Sequence, residues 1–252
     1  MKAIRVIGVD CAAQPVNVGL ALAELEPSGA RIVEATTGRN ADPATVIAGW
    51  LEGRQVGLIA LDAPLGWPRP ISESLAGHRA GDPIPAAPND LFRRATDRFV
   101  RQEVGKQPLE VAADRIARAA HAALKLLARV REITGCPIPL IWGWGHLLEI
   151  GVIEVYPAAT LSVRGLQCTR YKRRDQLKVR ERLLAELGGE LEIGSGALAA
   201  VENADAFDAM LCVVAARDFL SGNAMPPEDA ELARQEGWIW VRRPGADRTS
   251  GP

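Results

Sequence analysis

A chain of 252 residues, 48% of them hydrophobic and 24% charged, has room for one large domain or two small ones with a sizeable core. Its formal net charge of −1 excludes a global electrostatic pull toward nucleic acid, so any such binding must rest on local basic patches. No apolar run reaches membrane-spanning length, no signal peptide is expected where the opening residues read directly as a strand, and Cys11, Cys136, Cys168 and Cys212 show neither a CxxC pair nor a zinc spacing. The expectation is a soluble, reduced, cytoplasmic protein with no membrane partner.

Ala3 to Asp10 is a near-continuous apolar run, as expected of a strand covered on both faces. Val16 to Leu25 partly alternates, as an antiparallel neighbour would, and Ala30 to Thr37 returns as a third strand after a Pro27-Ser28-Gly29 turn. Asp42 reads as the N-cap of a helix with Pro43 in its first turn, running to about Glu52 and stopped by Gly53. Val56 to Asp62 follows this crossover and should lie parallel to the first strand.

From Pro64 to Pro108 the chain is rich in proline and reads as an irregular insertion over the strand ends. A short helix is expected near Asp90 to Gln102, carrying Arg93, Arg94, Arg98 and Arg101. A long helix follows from Pro108 to Thr134, with Ile116, Ala120, Ala123, Leu127 and Val130 on one stripe and Gly135-Cys136-Pro137 as its stop. Trp142 to Gly145 reads as a loop, Val152 to Tyr156 as a fifth strand, and Arg170 to Arg174 as a basic lead into a helix from Asp175 to about Leu187. A last helix, Ala204 to Leu220, precedes an edge strand at Trp238 to Arg242 and a disordered tail. The order of elements is that of a mixed sheet in an α/β protein. The expected organisation is one domain over residues 1–244, with an insertion at about 64–150 and a tail at 245–252.

The feature that carries chemistry is a set of acids against apolar sequence. Asp10 and Asp62 each end a buried strand, and Asp205 and Asp208 sit one helical turn apart in the last helix. Parallel pairing of the two strands brings their carboxylates to one sheet edge, where ligands gather in open α/β sheets. Residues at this helical spacing are surface neighbours, so Asp205 and Asp208 should border the Ala204, Phe207, Leu211 and Ala215 stripe, between core and solvent. Converging carboxylates repel unless cations compensate them. Two Mg²⁺ or Mn²⁺ ions about 3.5–4 Å apart do so and drive in-line displacement at a phosphodiester.

Each acid also has a plainer role. A strand-end Asp is commonly a turn residue, and Asp205 suits a helix first turn by the macrodipole alone. Glu154 is harder to dismiss, because a carboxylate within a buried strand needs a partner. His78, His121 and His146 have no second ligand at metal spacing, and Gly194-Ser195-Gly196 lacks both the third glycine and the preceding strand of a dinucleotide fingerprint, leaving a turn. The arginine groups read either as a solvated face or as phosphate contacts.

This order of strand-Asp, two antiparallel strands, helix, strand-acid and helical DxxD resembles the ribonuclease H-like superfamily. Four segments are similar to a family of predicted nucleases, domain of unknown function 429: Gly8-Val9-Asp10, Ala60-Leu61-Asp62-Ala63-Pro64-Leu65-Gly66, Glu154-Val155-Tyr156-Pro157-Ala158-Ala159 and Asp205-Ala206-Phe207-Asp208-Ala209. Arg94-Ala95-Thr96-Asp97-Arg98, Tyr171-Lys172 and Glu236-Gly237-Trp238-Ile239 resemble further recurring pieces of that family. The resemblance implies a ribonuclease H-like mixed sheet with Asp10, Asp62, Glu154, Asp205 and Asp208 at the site. It also places Asp97 and Tyr171 in substrate-binding segments.

The leading expectation is a Mg²⁺- or Mn²⁺-dependent nuclease. Asp10, Asp62, Asp205 and Asp208 would hold metal, Glu154 would ligate or orient, and Lys172, Arg94 and Arg98 would contact the phosphates of a nucleic-acid partner. One alternative is a non-catalytic binding protein on the same fold. Another is an actin-like ATPase or small-molecule kinase, which needs a glycine- and hydroxyl-rich turn after the first aspartate; Cys11-Ala12-Ala13-Gln14 supplies neither.

Overall fold

A computed structural model of the chain describes residues 4–26, 29–53, 56–112, 114–146 and 149–245. Strands β1 (Arg5–Asp10), β2 (Gly19–Glu26), β3 (Gly29–Thr37), β4 (Gly57–Asp62), β5 (Ile150–Glu154) and β6 (Leu191–Ile193) form one mixed sheet in the order β5-β4-β1-β2-β3-β6. The hairpin pairs β1–β2 and β2–β3 are antiparallel, while β1–β4, β4–β5 and β3–β6 are parallel. The helices are α1 (Pro43–Leu51), α2 (Arg69–Leu75), α3 (Pro88–Phe92), α4 (Ala95–Val104), α5 (Asp114–Thr134), α6 (Pro157–Ser162), α7 (Leu177–Leu187), α8 (Ala204–Leu220) and α9 (Ala230–Glu236).

The apolar runs of β1 and β4 are explained by helices on both faces. Ile7 and Val9 of β1, with Ile59 and Leu61 of β4, pack against Ile47 and Leu51 of α1 and Ala123, Leu127 and Val130 of α5. Val6, Leu58 and Ala60 point the other way, onto Phe207, Met210 and Val213 of α8. Successive side chains on a strand alternate faces, so a strand covered twice must be apolar at nearly every position.

Helix α8 lies in backbone contact with the sheet. A Cβ on Gly8 would stand 1.9 Å from the Ala209 carbonyl oxygen, and one on Gly19 would stand 1.9 Å from that of Asp205. Glycine at these two positions is what lets the helix settle onto β1 and β2.

Several expected boundaries moved. The helix predicted near Asp90 is split into α3 and α4, because Arg93 and Arg94 are extended and turn Arg94 inward. The long helix starts at Asp114 rather than Pro108: Gly105, at φ 72°, ends α4, and residues 106–110 stay irregular. The segment Trp238 to Arg242 is no regular edge strand. Among the described residues it meets the sheet at the single Glu154–Ile239 bridge, because the Ile239 N–H donates to the Thr96 hydroxyl at 2.8 Å instead of to a ladder. Gly194-Ser195-Gly196 does turn, but β6 precedes it, a strand too short to stand out in the sequence. The predicted Pro27-Ser28 turn and tail residues 246–252 lie outside the described residues.

Candidate metal centre

Parallel pairing of β1 with β4 sets Asp10 directly opposite Asp62. The hydrogen bond from the Cys11 N–H to the Asp62 carbonyl continues the register beyond the strand ends. Helix α8, seated on Gly8 and Gly19, then brings Asp208 to the same edge. One oxygen from each of Asp10, Asp62 and Asp208 lies within 4.8 Å of the others.

Asp208 is fully buried and Asp10 is 8% exposed. The helical-wheel expectation that Asp208 borders solvent is therefore corrected, because α8 is enclosed on all sides. Asp205 occupies the first turn, half-buried and outside the three-carboxylate group, with Arg39 and Lys172 as its cationic influences.

The electrostatics follow from burial. Desolvation pushes the Asp10 carboxyl well above the carboxylate range, Asp208 and Asp62 add repulsion, and Lys172 opposes both. Desolvation, with Lys172 opposing it and Asp208 and Glu154 adding repulsion, pushes Asp62 up to about 7. Lys172, half-exposed, is the counterion: its ammonium contacts Asp208 and lies 3.9 Å from Asp10. Burial alone would lower its pKa, yet the three acids raise it well above the usual lysine value. The buried Tyr171 hydroxyl faces Asp208, its ring held edge-on to Phe207 at 5.8 Å between centroids. The Cys11 and Cys212 thiols are pushed well above the ordinary thiol value by burial and the same acids.

Three carboxylates in reach of one another form the donor set of a hard divalent cation. Both oxygens of Asp208 are buried without a well-aligned hydrogen bond, even with Lys172 against one of them. A buried acceptor left in that state costs free energy that a metal ion would return. The residues present fit such an ion.

Glu154 has a different neighbourhood from the three aspartates. The partner that its sequence position demands is Arg94, which donates to its two oxygens at 2.7 and 3.0 Å. Arg94 also binds Asp97 at 2.9 Å and the Glu236 carbonyl at 3.2 Å, and it is 1% exposed. Its guanidinium is thus committed inside the protein, and neither Arg94 nor Asp97 presents a free group to a phosphate. Arg98 lies on the outer side of α4 and binds the Arg93 carbonyl at 2.8 Å.

The hub is tightened by Glu236, whose carboxylate accepts from the Arg69 and Ala95 N–H groups at 2.7 Å each. Gly237, at φ 85°, allows close approach: a Cβ there would meet the Glu154 carboxylate at 2.9 Å. The hub supports the loop after β4, since Glu154 also accepts from the Leu65 N–H at 3.0 Å.

Two groups carried no signal in the sequence. Arg180 of α7 is 1% exposed and donates to the carbonyls of Tyr171, Arg173, Val201 and Glu202 at 2.7–3.0 Å. It thereby ties the Lys172 loop to the segment leading into α8. The second is a pocket of about 500 Å³ that includes the acids, Lys172 and an apolar wall containing Ile116, a residue expected to face the core.

The comparisons with known proteins add one relationship. The family model described as "Protein of unknown function (DUF429)" matches residues 8–232. No curated protein and no solved structure matches.

Proposed function

The chain belongs to the DUF429 family of unknown function, and on that premise we propose that it is a metal-dependent nuclease hydrolysing phosphodiesters at Asp10, Asp62 and Asp208. The observation that carries this reading is the convergence of three carboxylates from β1, β4 and α8 around a buried, under-satisfied Asp208. The succession of three antiparallel strands, a helix and a parallel strand ending in Asp62 supports the ribonuclease H-like reading of the fold.

Asp10, Asp62 and Asp208 would hold Mg²⁺ or Mn²⁺, with Asp205 one turn away as a further oxygen donor at the rim. Such an ion supplies Lewis-acid polarisation of a phosphoryl oxygen and of the attacking water. The chain's own residues do the rest. Tyr171 packs behind Asp208, and Lys172 stands where it can exchange its carboxylate partners for a substrate phosphate. The Arg94–Glu154–Asp97 hub fixes the loop that follows Asp62.

A non-catalytic binding protein is the second reading, favoured by one observation: Lys172 already neutralises part of the acidic charge without a metal. The deciding experiment measures Mn²⁺ binding and the cleavage of single-stranded, duplex, hybrid and branched nucleic acids with Mg²⁺, Mn²⁺ or EDTA. In Asp10→Asn and Asp62→Asn, cleavage should fall by roughly 10²–10³-fold or more, the scale of losing one charge-stabilising group. Intact cleavage in both variants, or no Mn²⁺ binding by the wild type, refutes the nuclease.

A further inference from the structure

The three carboxylates line a pocket of about 500 Å³, a volume suited to a single small molecule. The same lining includes the apolar groups of Leu109 from the segment before α5, Ile116 from α5 and Tyr156 after β5. Leu109 is 64% exposed, a large apolar side chain left uncovered at the mouth. Lys106 and Arg170 line the same pocket as Lys172, and neither is ion-paired among the described residues. Arg170 holds a left-handed φ of 66°, a strained conformation for a non-glycine residue that sets the course of the Tyr171-Lys172 segment over the acids.

Acids, cations and apolar side chains sharing one pocket make a site for one compact anion with an apolar or aromatic substituent. We infer that the substrate enters as a single nucleotide-sized phosphodiester, either the end of a nucleic-acid strand or a free small diester. Its phosphate lies between Lys172 and the carboxylates, and its substituent lies against Leu109 and Ile116. This inference rests on the phosphodiesterase reading above. In the reaction, the water oxygen bonds to phosphorus, one phosphorus–oxygen ester bond breaks, and the departing alkoxide gains a proton from water. A phosphomonoester and an alcohol result. On this inference a strand is attacked from its end, and a duplex or a covalently closed strand is a poor substrate.

The test uses the full chain with Mn²⁺ and three substrates: bis(p-nitrophenyl) phosphate, a linear single strand, and a covalently closed circle of the same sequence. The linear strand should be shortened stepwise from an end and the small diester hydrolysed. The circle should react at least about 100-fold more slowly, the scale on which a pocket rejects a poorly fitting substrate. Ala119→Phe, which narrows the pocket from α5 and removes none of the carboxylates, should keep Mn²⁺ binding and lose at least about tenfold in kcat/KM on both reactive substrates. A circle cut as fast as the linear strand, by an activity that Asp10→Asn abolishes, overturns the inference and leaves the nuclease reading standing. No hydrolysis of any of the three with Mn²⁺ bound overturns both.

Discussion

Asp62 shows what burial does to a single residue at this site. Desolvation raises its carboxyl, Asp208 and Glu154 add repulsion, and Lys172 only partly offsets them, leaving it at about 7 against an ordinary 3.8. A carboxyl raised by folding holds its proton more tightly in the folded state, so the folded state is favoured at low pH. That advantage is lost as pH rises from about 4 to about 7. Asp62→Asn, which stays neutral, should therefore be more stable than the metal-free wild type at pH 8, with the gap in Tm closing toward pH 4. Thermal melts across this range in EDTA check it, and a gap that does not change with pH would sink the account. Not every partner at this scale was legible in the sequence. Glu154 declared that it needed one, but Arg94 lies 60 positions away, and nothing local announces the pairing. Arg180 is less legible still, since a helical arginine reads as solvated until its carbonyl partners are known.

Among the elements, α8 decides where the acids meet. Its range, Ala204–Leu220, follows the sequence expectation, because an Asn203 cap and a long apolar stretch are local signals. Its placement depends on Gly8 and Gly19, each of which would drive a Cβ into helix backbone. The Ala209 carbonyl cannot yield without moving the helix, so Gly8→Ala should cost about 2–4 kcal/mol, in the range of severe overpacking. It should also weaken Mn²⁺ binding by displacing Asp208. Chemical denaturation and a metal titration test the two effects together, and unchanged metal affinity in a destabilised variant would separate α8 from the site. The break between α3 and α4 was not legible, because Arg93 and Arg94 leave the helix to satisfy Glu110 and Glu154, both outside it.

For the molecule as a whole, the repulsion stored at the site links metal to folding. An ion that binds only the folded chain at 100 times its Kd adds about 2.7 kcal/mol. For a chain of this size, that is a rise of roughly 5–10 °C in Tm. Mn²⁺ should produce such a rise in the wild type and little in Asp10→Asn, as read by differential scanning calorimetry; equal shifts in both would place the ion elsewhere. Among the described residues no helix is long and apolar enough to cross a membrane. By itself the sequence determined the mixed α/β character, the pairing of β1 with β4 and the meeting of Asp10 with Asp62. Apolar runs, turn residues and crossover handedness are local or topological signals. Only the tertiary structure chose Asp208 over Asp205 for the carboxylate group, put Glu154 in the hands of Arg94 and closed a pocket over the acids. Those outcomes depend on how α8, α5 and the insertion pack against the sheet, and packing between distant segments leaves no periodic trace in the chain.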